Sequence, residues 1–325
     1  MKPRVFCTRI IHPEALKMLA SQVELEVWQA DEPPSHAVLI QKASHLDGLL
    51  TLLSDPIDAD VIAALPASFK AISQMAVGFD NINITAASQR KFPVGHTPGV
   101  LTETCADFTW ALLLSAARRV VEANREVMEG VWKPWGPFVL SGTDVFGATL
   151  GIIGFGRIGQ AVAKRAQGFN MRVLYFSPHR NLEAERATGV IYSPLDDLLA
   201  QSDFISLHAN LNPQTIHLIG REEFGKMKPS AIFVNISRGA MVDSDVILWA
   251  LENHKVSAVA VDVFDPEPIP ADHPLLKRPD FLITPHIASA STQTRAKMAQ
   301  ITVENLMAGL HNEPMRYCAN PQVYE

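Results

Sequence analysis

Ala148-Thr149-Leu150-Gly151-Ile152-Ile153-Gly154-Phe155-Gly156-Arg157-Ile158-Gly159-Gln160 is the stretch whose reading decides the fold. Leu150, Ile152 and Ile153 form the short apolar run of a parallel strand covered on both faces. Gly154, Gly156 and Gly159 then follow the spacing G-x-G-x-x-G, with Phe155, Arg157 and Ile158 between them. In that spacing the first glycine permits a tight turn, the second lets backbone approach a pyrophosphate, and the third lets the helix pack closely on the strand. The phosphates then sit at a helix N-terminus, where unpaired N–H groups and the dipole favour anions. A glycine turn alone is weak evidence, but here both flanks agree. A helix over Ala161 to Gln167 and a second strand over Arg172 to Phe176 complete a β-α-β unit. The stretch is a dinucleotide site.

Which dinucleotide is decided at the end of the second strand. NAD binding asks for an Asp or Glu about 20 residues past the glycines, to hold the ribose hydroxyls. This chain has Ser177-Pro178-His179-Arg180 there. A carboxylate would repel a 2′-phosphate, whereas a hydroxyl, an imidazole and a guanidinium can bind one. The absent acid and the present base both point to NADP(H), with Ser177, His179 and Arg180 as its ligands. The blander alternative is that Arg180 only starts a solvated helix carrying Glu183 and Glu185.

The 325 residues suggest two domains, with ample apolar content for two cores. A net charge of −6 without any basic run points away from nucleic acid and anionic membranes. Cys7, Cys105 and Cys318 are too few and too scattered for a disulfide framework or a metal cluster, which suits a reducing compartment. The N-terminus reaches Arg9 and His12 before a signal-length apolar run forms, and no segment approaches the roughly 18 apolar residues of a membrane helix. The expectation is a soluble cytoplasmic protein.

The first hundred residues have an α/β rhythm of their own. Strands are expected at Val5–Cys7, Val23–Trp28, Gly48–Leu53 and Ala71–Met75, and helices at Pro13–Ala20 and Ala59–Leu65. Pro33-Pro34 marks a loop, and Val94 to Gly99 a break after a small parallel-sheet domain without a phosphate loop. A long apolar helix is expected over Ala106 to Val121, capped by Thr102. Gly130 to Phe138 follows, rich in Pro and carrying Trp132 and Trp135. It is either an arm reaching a second subunit, as aromatics concentrate at interfaces, or a loop over its own core. Further strands are expected at Asp203–His208, Ala231–Ser237, Val256–Phe264 and Phe281–Thr284, with helices at Pro194–Ala200 and Ser244–Glu252. A last helix, Ser291 to Gly309, would return to the first domain.

The ends of the late strands hold an unusual set: Ser237-Arg238-Gly239, then Asp262-Val263-Phe264-Asp265-Pro266-Glu267-Pro268, then Thr284-Pro285-His286-Ile287. In open α/β sheets ligands bind beyond such ends, so Arg238, Glu267 and His286 can converge there. Reduction of a 2-oxo acid leaves negative charge on the carbonyl oxygen, and histidine is the natural proton donor near neutral pH. A carboxylate beside the imidazole favours its charged form and fixes its orientation. A guanidinium can grip the substrate carboxylate and polarise the carbonyl. Singly, each residue is more often a surface charge or a loop residue; together at matching strand ends they read as a site.

At these residues the chain resembles the D-isomer-specific 2-hydroxyacid dehydrogenase family over nearly its whole length. The carrying motifs are Gly154 to Gly159, Asn235 to Gly239, Asp262 to Pro268 and Pro285-His286-Ile287. Within the family it is most similar to glyoxylate/hydroxypyruvate reductases, including relatives that also reduce 2-ketogluconate. Val100 to Thr104 with Arg118-Arg119, the two-Trp arm and Phe281 to Ala290 support this. The resemblance implies that Arg238 and Glu267 are catalytic and that His286 is the proton donor, with Arg238 and His286 also touching substrate. It implies backbone N–H groups of Val77 and Gly78 on the substrate carboxylate, and Asp262 on the nicotinamide amide. It further implies a homodimer and a Rossmann domain (100–287) inserted in a discontinuous, flavodoxin-like substrate domain (1–99 and 288–325). Ser177 departs from the acid of NAD-dependent members, in agreement with NADPH as cofactor. Two alternatives fit less well. A dinucleotide-sensing corepressor on the same fold would favour a long disordered tail, and a phosphoglycerate dehydrogenase would need length for a regulatory domain.

Overall fold

The computed structural model describes residues 2–325. The chain divides into two compact units, Met1–Leu101 with Ala290–Glu325, and Thr102–Ser289. The first unit runs β1 (Arg4–Cys7), α1 (Pro13–Gln22), β2 (Glu24–Val27), α2 (His36–Ala43), β3 (Gly48–Thr51), α3 (Ala59–Ala64), β4 (Ala71–Gln74), α4 (Ile84–Gln89) and β5 (Val94–Gly95). Its strands are all parallel in the order β2-β1-β3-β4-β5, the flavodoxin-like order. Phe6, Leu49, Ile62 and Ile72 sit in its core, where full burial of one such side chain contributes roughly 1.5–3 kcal/mol.

Three elements of this unit depart from the sequence reading. The α2 and α4 helices went unforeseen, yet each has a cap: Ser35 accepts from the Val38 N–H, and Asn83 from the Ala86 N–H. Val94–Gly95, expected as part of a break, is a strand. Two residues carry no periodicity, and it is pairing with Ile72 and Ser73 that makes them one. The Val94 N–H also reaches Asn320 Oδ1 in the C-terminal tail at 2.8 Å.

The second unit contains α5 (Thr102–Ala117), α6 (Val120–Met128), β6 (Thr149–Ile153), α7 (Arg157–Ala166), β7 (Arg172–Phe176), α8 (Leu182–Thr188) and β8 (Ile191–Tyr192). It continues with α9 (Leu195–Gln201), β9 (Phe204–Leu207), α10 (Arg221–Lys226), β10 (Ile232–Asn235), α11 (Ser244–Glu252), β11 (Ala258–Val261) and β12 (Phe281–Ile283). The parallel order is β12-β11-β10-β9-β6-β7-β8. Strand order therefore reverses between β6 and β9, and the glycine turn leaves β6 at this switch point, where doubly wound sheets bind ligands. The next helix, α12 (Thr292–Leu310), belongs to the first unit and lies on β4, where Ser73 Oγ donates to Thr302 O at 2.8 Å.

The long helix expected to Val121 is in fact two. The α5 helix already includes Thr102, so Thr102 is not its cap, and it stops at Ala117. Arg119 then adopts a left-handed conformation (φ 50°) and α6 begins. The break falls at Arg118-Arg119, a charged pair between Ala117 and Val120 that a helix can carry, so residue type alone did not mark it. The Gly130–Phe138 stretch is irregular, as expected, with Trp132 77% and Trp135 89% exposed. That exposure excludes a loop folded over its own core. Among the described residues no helix is long and apolar enough to cross a membrane.

Candidate active site

The glycine turn is built by backbone contact. Gly154 has φ +92°, and a Cβ there would lie 2.4 Å from Ala209 N and 2.5 Å from His208 C. Any side chain would push the turn after β6 off the turn after β9. At Gly159 a Cβ would stand 2.4 Å from Gly154 O, so α7 rests directly on the turn. Beside Gly156, by contrast, the space is open at the N-terminus of α7. A pyrophosphate fits there, since its oxygens can approach N–H groups that no side chain screens. Phe155 is buried, and its ring stacks on Tyr175 with centroids 4.1 Å apart, while Arg157 and Ile158 open α7.

At the end of β7, Ser177 is half-buried, and His179 and Arg180 are exposed. Arg180 is not a lone cation: its Nε and Nη2 each reach a Glu185 carboxylate oxygen at 2.7 Å. At the end of β9, His208 Nε2 meets Ser206 Oγ at 2.7 Å, and Nδ1 is buried without a partner among the described residues. Burial pushes this imidazole down to about 3, so it is neutral at physiological pH and unsuited to deliver a proton.

Arg238, Glu267 and His286 come together beyond β10, β11 and β12. His286 Nδ1 lies 2.9 Å from Glu267 Oε2, and the Phe264 N–H donates to Glu267 Oε1 at 3.1 Å. Burial pushes the Glu267 carboxyl up, but the His286 contact, the Phe264 N–H and the Arg238 charge outweigh it and hold it below its ordinary value. His286 has φ +54°, a costly conformation for a non-glycine residue, and its segment is pinned accordingly. Its N–H donates to Asp262 O at 2.9 Å. The buried Asp262 carboxylate accepts from Thr284 Oγ1 at 2.6 Å, Ile287 N at 2.9 Å and Ala288 N at 2.7 Å. Asp262 thus fastens the turn that presents His286, with acceptor capacity remaining for a further donor.

The turn carrying Arg238 is fixed just as closely. Buried Asn235 accepts from the Ser237 N–H at 2.9 Å and donates through Nδ2 to Arg238 O at 3.0 Å, while Ser237 Oγ ties the turn to Leu207 O at 2.8 Å. A Cβ on Gly239 would sit 2.0 Å from Phe264 O, so only glycine lets the Arg238 turn lie against the Phe264–Glu267 turn. That close approach brings the guanidinium within electrostatic reach of Glu267.

Val77 and Gly78 lie in the first unit, just past β4. Their carbonyls are taken, Val77 O by His96 Nδ1 at 2.9 Å and Gly78 O by Gln74 Nε2 at 2.6 Å. Neither N–H has an acceptor among the described residues. Gln74 is itself held by Asn81, whose Nδ2 also donates to Leu52 O and Asp55 O at 3.0 and 2.8 Å. The sequence reading missed Gln74 and Asn81, and it named Asn235 within a motif and Glu185 beside Arg180 without giving either a role. Asn235 left a local signal, an Asn whose side chain accepts from the N–H two residues on and so mimics backbone.

A doubly wound sheet with a phosphate turn at its switch point and an Arg–Glu–His cluster beyond its strand ends defines a dinucleotide-dependent oxidoreductase. Residues 110–288 match the D-isomer specific 2-hydroxyacid dehydrogenase, NAD binding domain family. The chain is 48% identical over 324 residues to a glyoxylate reductase of Korarchaeum cryptofilum, covering 99% of this chain and 97% of that one. The crystal structure of the TT0316 protein from Thermus thermophilus superposes with a TM-score of 0.91 at 42% identity, covering 97% of this chain and 99% of that one. An NADPH-dependent glyoxylate/hydroxypyruvate reductase from Sinorhizobium meliloti, in complex with NADP and malonate, gives 0.88 at 27% identity over 99% and 98% of the two chains. This chain belongs to the D-isomer specific 2-hydroxyacid dehydrogenases.

Proposed function

We propose that this enzyme reduces small 2-oxo acids, glyoxylate and hydroxypyruvate foremost and 2-ketogluconate as a further substrate, to D-2-hydroxy acids with NADPH, in the cytoplasm. The observation that carries the reading is the 2.9 Å pair of His286 and Glu267 with Arg238 beside it. The names of relatives that reduce glyoxylate and hydroxypyruvate support it. Gly154 to Gly159 would hold the pyrophosphate, Ser177, His179 and Arg180 the 2′-phosphate, and Asp262 the nicotinamide amide. The bound reduced dinucleotide supplies the hydride. Arg238 grips the substrate carboxylate and draws charge onto the carbonyl oxygen. His286 gives that oxygen its proton, and Glu267 keeps the ring oriented for the transfer. Val77 and Gly78 offer N–H groups to the substrate carboxylate.

A steady-state comparison of glyoxylate, hydroxypyruvate and 2-ketogluconate, each with NADPH and with NADH, tests this directly. Turnover of the first two with NADPH is expected; no turnover of any would return the corepressor alternative. Arg180→Ala should raise the NADPH KM by about three- to tenfold, a modest factor because the side chain is exposed and screened. Wild-type enzyme that uses NADH as readily as NADPH removes the cofactor assignment.

The same reading includes a homodimer. Val121, Val127, Met128, Trp132, Trp135 and Phe138, close in sequence along α6 and the arm, are all exposed in the single chain. Apolar surface of that extent marks an interaction site. Light scattering should report a dimer at micromolar concentration, and a polar replacement of Trp132 or Trp135 should weaken it. A wild-type monomer under those conditions refutes the arm reading.

A further inference from the structure

The acid missing from the end of β7 is present nearby on another element. Glu185 stands in the first turn of α8, where both its oxygens face the Arg180 guanidinium at 2.7 Å. Its Oε1 also accepts from the Tyr175 hydroxyl at 2.7 Å, and that hydroxyl accepts from the Asn181 N–H at 2.8 Å. The Tyr175 ring is the one stacked on Phe155 in the phosphate turn. The Arg180 guanidinium carbon lies 5.7 Å from the centroid of the Tyr192 ring on β8. One run of contacts therefore leads from the phosphate turn through Tyr175 to Glu185 and Arg180.

We propose that Glu185 is a specificity residue for the dinucleotide: it neutralises Arg180 and keeps the preference for a 2′-phosphate below what Arg180 alone would give. The inference rests on the reading of Ser177, His179 and Arg180 as the 2′-phosphate site. A 2′-phosphate approaching this corner meets a guanidinium and a carboxylate together, instead of a guanidinium alone. The bidentate pair occupies Nε and one N–H of Nη2, which leaves Nη1 for an anion. A phosphate bound there stands close to the Glu185 carboxylate and is repelled by it. The adenosine ribose of NADH, carrying no 2′-phosphate, is spared that repulsion. Arg180 and Tyr175 hold the Glu185 carboxyl down to about 2, so it stays charged at every pH at which such an enzyme is assayed. Substitution, not pH, is what removes its charge.

The test is direct binding of NADPH and NADH by calorimetry, without substrate, to wild type, Glu185→Gln and Arg180→Ala. Glutamine retains an acceptor for the Tyr175 hydroxyl, so the corner should stay folded. In Glu185→Gln the ratio of the NADH to the NADPH dissociation constant should rise by about three- to fivefold, the scale of one exposed charge interaction. The gain should shrink in high salt, where exposed charges are screened. Glu185→Ala should shift the ratio in the same direction, which keeps the inference testable if the glutamine disturbs Tyr175. A ratio unchanged or lowered in both variants overturns the role of Glu185. A ratio unchanged in Arg180→Ala overturns the 2′-phosphate reading instead, so the two failures are told apart.

Discussion

His286→Ala is expected to lose about two to four decades of reductase turnover, the usual worth of general acid catalysis, while still binding NADPH. The phosphate turn, built from β6, α7 and the turn after β9, does not depend on the imidazole. Near-normal turnover in this variant would sink the mechanism itself. The pH profile separates the partner's part. The Glu267 carboxyl is held below its ordinary value, so its charge and its grip on the ring are lost at a lower pH than an ordinary carboxylate would lose them. Reduction needs that grip, so on the acid side its kcat/KM should fall once Glu267 is protonated, at a lower pH than an ordinary carboxylate would set. Glu267→Gln keeps an acceptor for the Phe264 N–H but removes the carboxylate that pairs with the ring. The acid limb set by Glu267 should then disappear, with turnover lowered and the 2-oxo acid KM little changed. An unmoved profile refutes the pairing.

Arg238→Ala should lower kcat/KM by about two to three decades, the scale of losing one donor to a developing oxyanion. Here kcat should fall and KM rise together at every pH, because the carboxylate grip and the carbonyl polarisation disappear at once. The rise in KM alongside the fall in kcat distinguishes this variant from Glu267→Gln. Arg238→Lys should recover only part of the loss, since a point charge cannot reproduce a planar two-pronged contact. A variant with raised KM and intact kcat would restrict Arg238 to substrate binding alone.

Some of this enzyme was legible in the chain itself. Gly154, Gly156 and Gly159 announced the phosphate turn, because backbone contacts of 2.4–2.5 Å to a would-be Cβ allow no other residue at the first and last of them. Arg238, Glu267 and His286 could be named together without any distance. A parallel sheet brings all its strand ends to one edge, so polar residues just past β10, β11 and β12 must become neighbours. Short elements escaped: β5 has two residues and no pattern, and exists because β4 lies alongside.

Tertiary structure alone decided how the neighbours are used. It placed the Gly239 backbone against Phe264 and turned the Asp262 carboxylate onto Thr284, Ile287 and Ala288. It also set Glu185 from α8 against Arg180, so that an apparently acid-free ribose corner carries an acid after all. Residue type and spacing determine which strand end a group follows, because the alternation of strands with crossover helices makes the strands parallel and brings their ends to one edge. Which way its side chain turns depends on contacts between segments distant in sequence, and those exist only once the sheet has closed.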